Sequence, residues 1–257
     1  MNKTKTYLDE LVEKYETKDF IKDDPIQFPH LYKSREDIEI AGFIAAMFAY
    51  GNRTVFVKKL KTFFDYVGNS PLDFVLNGDI HCDFCKNFDY RFSKGVDFIQ
   101  ILEILRELYS NSSLMELFKY GYEQERNVKQ MFQTVTDYFY SRVTMPVTKG
   151  FYHLLPNPQK NSAMKRMCMF LRWMVRKPVV DLGIWKFIKP SELLIPLDVH
   201  VARVSRNMGL LTRKSNDFKS VVELMCELRK FCPEDPVKYD FAMFAYGIEE
   251  ANKEKGF

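Results

Sequence analysis

Residues 195–204 read IPLDVHVARV, and this stretch decides how the last third of the chain folds. Apolar residues recur after Asp198 at the spacing of one face of a helix. An aspartate just before such a run is a preferred N-cap, because its carboxylate accepts hydrogen bonds from the first N–H groups of the helix. Gly209 supplies a stop at the other end. The sequence therefore predicts a helix from Val199 to Met208 with Asp198 as its N-cap.

The same helical period runs through most of the chain, and we find no pattern of alternation that predicts a β-sheet. Further helices are predicted over residues 38–50, 54–67, 96–109, 113–121, 126–142, 162–176 and 216–231. Pro146 and Gly150 interrupt this pattern. We therefore expect residues 1–257 to form one all-α, two-lobed helical bundle, with a lobe boundary near residues 145–152.

Composition favours a globular protein of the cytoplasm. The chain is 46% hydrophobic and 15% aromatic, and it has no run near the roughly 20 apolar residues that cross a bilayer. The first residues lack the apolar segment of a signal peptide. Five cysteines at irregular spacing argue against a disulfide framework and for a reducing compartment. They are Cys82, Cys85, Cys168, Cys226 and Cys232.

The net charge is only +4, but basic residues concentrate between residues 160 and 189. Asp181 is the single acid in that region, against Lys160, Lys165, Arg166, Arg172, Arg176, Lys177, Lys186 and Lys189. A cluster of this kind can contact phosphates. The alternative is a solvated basic face that has no partner.

Asp198 lies between two apolar residues and is followed by His200, Val201 and, five residues on, Arg203. This order resembles the catalytic segment of the helix-hairpin-helix DNA glycosylases. A turn and a helix bearing Lys165 lie upstream, which is also the order in that family. Nearly the whole chain also resembles an uncharacterised bacterial conserved-protein family, and this second resemblance implies no activity.

The glycosylase resemblance implies that Lys165 and Asp198 face a cleft between the lobes and are catalytic. The lysine amine would attack C1′ of a damaged nucleoside and form a Schiff base, while the aspartate would stabilise positive charge on the sugar or relay a proton. An amine attacks only when neutral, and a helix N-terminus and Arg166 both disfavour its charged form. Lys160 is the competing nucleophile, and Asp198 could instead be only an N-cap.

The resemblance also implies contacts with DNA. Asn52 would fill the gap left by a flipped base and Arg53 would contact the orphaned strand. The alternative for this segment is a helix stop at Gly51 followed by a capped restart. Phosphate contacts are expected from Lys160, Arg166, Arg203 and Arg206.

The hairpin departs from the glycine-rich form that the glycosylase family uses to hold a phosphate. Residues 155–159 read LPNPQ, and Pro158 removes an N–H donor. Lys165 and Asp198 are also farther apart in sequence than is usual. Archaeal 8-oxoguanine DNA glycosylases are similar in this longer connection, which points to an oxidised purine as substrate.

No metal or cofactor is expected. His81, Cys82 and Cys85 have the spacing of metal ligands, but no second pair of matching spacing completes a four-ligand site. We therefore expect a monomeric DNA glycosylase, with or without AP lyase activity, that acts on double-stranded DNA with a damaged base. The alternatives are a non-catalytic nucleic-acid-binding module on the same fold and a helical scaffold for protein partners.

Overall fold

The computed structural model describes residues 3–177 and 179–254, and it confirms the predicted all-α class. Two isolated bridges, between Tyr90 and Ser93 and between Ser162 and Asp217, are the β pairing found within these residues. The helices are α1 (Lys3–Tyr15), α2 (Arg35–Phe48), α3 (Arg53–Val67), α4 (Pro71–Asn77), α5 (Asp83–Lys86), α6 (Gly95–Tyr109), α7 (Leu114–Glu125), α8 (Val128–Ser141), α9 (Lys149–Leu154), α10 (Lys165–Val175), α11 (Val199–Asn207), α12 (Phe218–Phe231) and α13 (Tyr239–Glu254).

The chain forms two compact units. The terminal unit combines Met1–Lys22 with Asn161–Phe257, and the middle unit is Asp23–Lys160. Residues 145–152, where the sequence suggests a lobe boundary, therefore lie inside the middle unit. In the part of the chain that the structure describes, the helices are too short or too polar to cross a membrane.

The core of the middle unit is built around α2, whose side chains are almost all buried. Asp37 joins the starts of two helices there, because its carboxylate accepts hydrogen bonds from the Ser70 hydroxyl and the Leu72 N–H, both at 2.9 Å. Glu39 is fully buried and accepts a hydrogen bond of 2.8 Å from the Tyr109 hydroxyl. Burial, together with this carboxylate, raises the pKa of Tyr109 well above its ordinary value.

The terminal unit is organised by a buried carboxylate, Asp181, that binds two arginines of α10. Its Oδ1 lies 3.1 Å from Nη2 of Arg172, and its Oδ2 lies 2.6 Å from Nη1 of Arg176. The two arginines are four residues apart and so project from the same face of the helix. All three side chains are at most 3% exposed.

Three more carboxylates complete this buried ion network. Asp240 of α13 pairs with Arg172. Glu16 and Asp235 pair with Arg176, each at 2.9 Å. The network therefore links α10 to α13, to the end of α1 and to the turn before α13.

Helix α13 packs against α1 and α11 within the terminal unit. Gly247 lies at the contact with α11, where an added Cβ would come within 3.0 Å of the His200 Cβ. The guanidinium of Arg203 in α11 donates a hydrogen bond to the Gly247 carbonyl. These contacts fix the position of α11, and therefore of Asp198, relative to Asp240 of α13.

Replacement of Arg176 by Met should lower the free energy of unfolding by about 3–5 kcal/mol, because it leaves buried carboxylates without a cation. Lys177→Met is the matched control, since Lys177 is exposed. Urea denaturation followed by tryptophan fluorescence reports on the terminal unit, because Trp173 and Trp185 are the two tryptophans of the chain and both lie there. Equal stability of the two variants would contradict the network's role.

Candidate functional site

Asp198 stands at the N-cap of α11, as the sequence predicts. Its Oδ1 accepts hydrogen bonds from the N–H groups of His200, at 2.8 Å, and Val201, at 2.9 Å. Among the residues that the structure describes, Oδ2 accepts no hydrogen bond, and the side chain is half-buried. The capping role therefore occupies one carboxylate oxygen and leaves the other available for chemistry.

Lys165 is the first residue of α10 and is half-buried. Within residues 3–177 and 179–254, it makes no hydrogen bond or ion pair. The structure thus places an amine without a direct ionic partner at the position that the sequence analysis proposes for the nucleophile.

The turn before Lys165 is strained. Asn161 has φ of 57° and Met164 has φ of 51°, a left-handed conformation that residues other than glycine rarely adopt. The turn is held at both ends, because Met164 N–H donates to Ser162 Oγ at 3.2 Å and Phe218 N–H donates to the Asn161 carbonyl at 3.1 Å. Strain of about 1–3 kcal/mol per residue persists where the surroundings enforce it, and it is commonest at functional sites.

Asp240 is the third charged group of this site, and the sequence analysis missed it. It is buried and paired with Arg172, yet burial raises the pKa of Asp240 to about 7. Arg172 and Lys165 act to lower that pKa, and the charges of Asp198 and Asp181 act to raise it. Lys165 and Asp198 are therefore both close enough to act on the same carboxyl group. The signal in the sequence was a single acid inside the apolar run of residues 239–245.

These three groups make a site that can hold and move a proton. Lys165 supplies a potential nucleophile, and Asp198 supplies a free carboxylate oxygen. Asp240 exists in both protonation states near neutral pH, because its pKa is about 7. Carboxyl groups with perturbed pKa values are common at catalytic sites.

Much of the predicted basic region is internal. Arg172 and Arg176 belong to the buried ion network, and Arg166 is only 9% exposed. The prediction that Arg166 contacts phosphates is therefore disfavoured, because it presents little surface to a ligand. The bases that remain exposed in this region are Lys160, Lys177, Lys186 and Lys189.

Arg203 and Arg206 of α11 also bond within the terminal unit. Arg203 donates to the Gly247 carbonyl, and Arg206 donates to the carbonyls of residues 213–215, at 2.8 to 3.2 Å, and to the Asn216 side chain at 2.7 Å. Both residues are half-buried. Their first role is to hold the fold together, so a phosphate would have to compete with these bonds.

Of the predicted DNA contacts of the middle unit, Asn52 and Lys160 are exposed and Arg53 is half-buried. Asn52 caps α3 by accepting the Val55 N–H at 3.2 Å, so the capped restart that the sequence suggests is present. Arg53 follows it as the first residue of α3. Lys160 is exposed at the end of the hairpin segment.

The hairpin of residues 155–160 directs its N–H groups to itself. Gln159 N–H donates to Asn157 Oδ1 at 2.8 Å, and Lys160 N–H donates to the Asn157 carbonyl at 3.2 Å. Pro158 has no N–H to offer. The N–H groups of Gln159 and Lys160 are therefore already bonded, and the turn offers fewer backbone donors to a phosphate than a glycine-rich hairpin does.

The described residues contain no group of three or more His, Cys, Asp or Glu side chains that could hold a metal ion. His81 Nε2 lies 3.2 Å from Glu103 Oε1, and Cys85 is fully buried. Burial raises the pKa of the Cys85 thiol to about 12. A thiol in this setting is a poor metal ligand, because ligation needs the thiolate.

Asp240 should make stability depend on pH. Its pKa rises from 3.8 to about 7 on folding, so the folded protein binds this proton more tightly than the unfolded chain does. The contribution is therefore present at acid pH and is lost as pH rises from about 4 to 7, by up to about 1.4 kcal/mol per pH unit. Asp240→Asn should flatten the fall in unfolding temperature between pH 4 and 7, measured by tryptophan fluorescence. Parallel profiles for the two proteins would rule out this titration.

Comparison with known proteins gives one family. A search of curated proteins and a search of solved structures each returned no match. The model of a family described as "Protein of unknown function (DUF2400)" matches residues 24–249, which is most of both units. The chain belongs to the DUF2400 family.

Proposed function

We propose that this protein is a DNA glycosylase with AP lyase activity, in which Lys165 is the nucleophile and Asp198 its catalytic partner. The observation that carries the proposal is the half-buried, unpaired amine of Lys165, whose charge, like that of Asp198, acts on Asp240. The left-handed turn before Lys165 supports it, because enforced strain is commonest at functional sites. The sequence around Asp198 supports the same chemistry.

In the proposed reaction, Nζ of Lys165 forms a bond to C1′ of the damaged nucleoside as the bond from C1′ to the base breaks. The bonding electron pair leaves with the base, which takes up a proton. The amine loses a proton, and Oδ2 of Asp198 is the acceptor without a competing hydrogen bond. The C1′–O4′ bond then opens with protonation of O4′, and C1′ and Nζ form a protonated Schiff base.

Asp198 has a second task, because the sugar becomes positively charged as the base departs. A fixed carboxylate stabilises that charge more strongly than water does. The hydrogen bonds from the N–H groups of His200 and Val201 hold the carboxylate in place without neutralising it. Asp240 sets the local charge, because its protonation near neutral pH removes one negative charge from the site.

The substrate we propose is double-stranded DNA with an oxidised purine, read by a monomeric, cytoplasmic enzyme. The long connection between Lys165 and Asp198 supports the purine, by its similarity to archaeal 8-oxoguanine glycosylases. The exposed bases Lys160, Lys177, Lys186 and Lys189 are the candidates for phosphate contacts. Arg172 and Arg176 are not candidates for phosphate contacts, because they are buried.

A second candidate function is a non-catalytic nucleic-acid-binding module. The hairpin of residues 155–160 favours this second function in part. Two of its N–H groups bond within the hairpin and Pro158 has none, unlike the glycine-rich hairpin that binds phosphate in the glycosylase family. The unpaired Lys165 and the free oxygen of Asp198 argue against it. A protein that only binds DNA gains nothing from a carboxylate near phosphates.

Borohydride trapping tests the nucleophile. Wild-type protein mixed with duplex oligonucleotides carrying one lesion, 8-oxoguanine first, should give a covalent protein–DNA band on reduction. Lys165→Ala should abolish the band, and Lys160→Ala, the matched control, should keep it. A band lost only in the Lys160 variant would move the nucleophile to that residue. No band and no base release on any lesion would leave the binding module as the better account.

Asp198→Asn separates catalysis from capping. Asparagine caps a helix as well as aspartate does, so the unfolding temperature should change little. Single-turnover base release should fall by at least about 100-fold, because the variant loses the proton acceptor and the negative charge. Affinity for duplex DNA should stay equal or increase. Unchanged base release would show that Asp198 only caps α11.

A further inference from the structure

Three rings form a partly exposed cluster in the middle unit. The His153 ring lies 4.7 Å from the ring of Tyr50 and 5.0 Å from that of Phe92, between centroids, in edge-on arrangements. The Tyr50 and Phe92 rings are nearly parallel, at 8°, with centroids 6.4 Å apart. Phe92 is 57% exposed. A phenylalanine this exposed, in contact with two other rings, needs an explanation beyond the core.

The Phe92 backbone is held rigidly. Tyr90 and Ser93 exchange hydrogen bonds between their backbones, at 2.8 and 2.9 Å, which closes a tight turn around Arg91 and Phe92. Arg91 adopts a left-handed conformation, with φ of 49°. The Tyr50 hydroxyl donates to the Tyr90 carbonyl at 2.8 Å and lies 2.9 Å from the Ser93 hydroxyl. A ligand that stacks on Phe92 therefore meets a preorganised surface.

Two glycines let the neighbouring segments approach this turn closely, one at its backbone and one at its side chains. A Cβ on Gly150 of α9 would lie 2.2 Å from the Phe92 carbonyl oxygen, so the helix that carries His153 is pressed against the turn. Gly51 has φ of 82°, and a Cβ there would lie 2.6 Å from the Arg91 guanidinium. Glycine at these two positions lets the three segments approach closely.

The rim of the cluster is cationic. The Arg91 guanidinium lies 5.5 Å from the Phe92 ring centroid, and Lys149 is exposed one helical turn before His153. The nearby acids are already bound: Asp89 pairs with Lys94 at 2.8 Å, and buried Asp97 accepts hydrogen bonds from Thr148. An exposed aromatic surface beside exposed cations fits a flat ring attached to an anion.

We propose that Tyr50, Phe92 and His153 form a stacking platform for an unpaired nucleobase, and that Arg91 and Lys149 bind the adjacent phosphates. Stacking on aromatic side chains combined with a basic surface is how proteins hold single-stranded nucleic acid. The proposal rests on the proposed function in that the ligand is a nucleic acid. It adds a site in the middle unit that contributes to binding and not to the chemistry at Lys165.

Equilibrium binding of two single-stranded oligonucleotides tests the platform. Oligothymidylate and an oligonucleotide of the same length and charge, built from a tetrahydrofuran abasic analogue that cannot form a Schiff base, differ in their bases, so the ratio of the two dissociation constants isolates stacking. Fluorescence anisotropy at fixed salt should show about tenfold tighter binding of oligothymidylate by the wild type. Phe92→Ala should reduce that ratio to about one, and Phe92→Trp should keep it. Tyr120→Ala is the matched control, because Tyr120 is 61% exposed on α7 of the same unit.

Equal affinity of the wild type for the two oligonucleotides would overturn the platform, and so would a ratio that survives in Phe92→Ala. If the ring cluster instead binds a protein partner, the wild type should bind the two oligonucleotides with equal affinity. Borohydride trapping by the same proteins separates this failure from that of the proposed function. The ratio should persist in Lys165→Ala, whereas the covalent band should not.

Discussion

The carboxylate of Asp181, bound by Arg172 and Arg176, is the interaction on which the candidate site depends. Because Asp181 pairs with both arginines of α10, they can be buried in the terminal unit. Arg172 also pairs with Asp240, which holds α10 to α13. Lys165 begins the same helix, so its position is set by this network and by the strained turn that precedes it. Buried ion networks add little to stability relative to apolar packing, but breaking one is costly. The network is therefore better understood as a device that fixes geometry.

The network also explains why Asp240 is not a simple salt-bridge partner. Four carboxylates, Glu16, Asp181, Asp235 and Asp240, surround two guanidinium groups, so negative charge is in excess. The carboxyl group of Asp240 is buried, and burial together with the charges of Asp198 and Asp181 raises its pKa to about 7 despite Arg172. A group that exchanges a proton near neutral pH is what acid–base chemistry requires.

Local signals in the sequence were sufficient for the helices and for Asp198. An N-cap aspartate and a glycine stop act over a few residues, and α11 begins where the sequence predicts and ends one residue early. The ion network could not be predicted in the same way, because its partners lie as far apart as Glu16 and Asp235. For the same reason the sequence suggests more exposed basic residues between 160 and 189 than the structure has. Arg172 and Arg176 are buried in ion pairs with distant carboxylates.

Two further features lie beyond what residue types reveal. Met164 adopts a left-handed conformation that its side chain disfavours, so tertiary structure enforces this part of the turn before Lys165. The ring cluster of the middle unit joins three segments around Tyr50, Phe92 and His153, and no short motif links them. Residue type alone does not distinguish Phe88, which is fully buried, from Phe92, which is exposed.

We propose that the amine of Lys165 is the reactive group of the site. Mass spectrometry of peptides from wild-type protein, reduced with borohydride in the presence of an abasic-site duplex and digested, tests it most directly. The account predicts that the peptide containing Lys165 carries the mass of the reduced sugar fragment. An adduct on Lys160 or on any other lysine, with the Lys165 peptide unmodified, would contradict it.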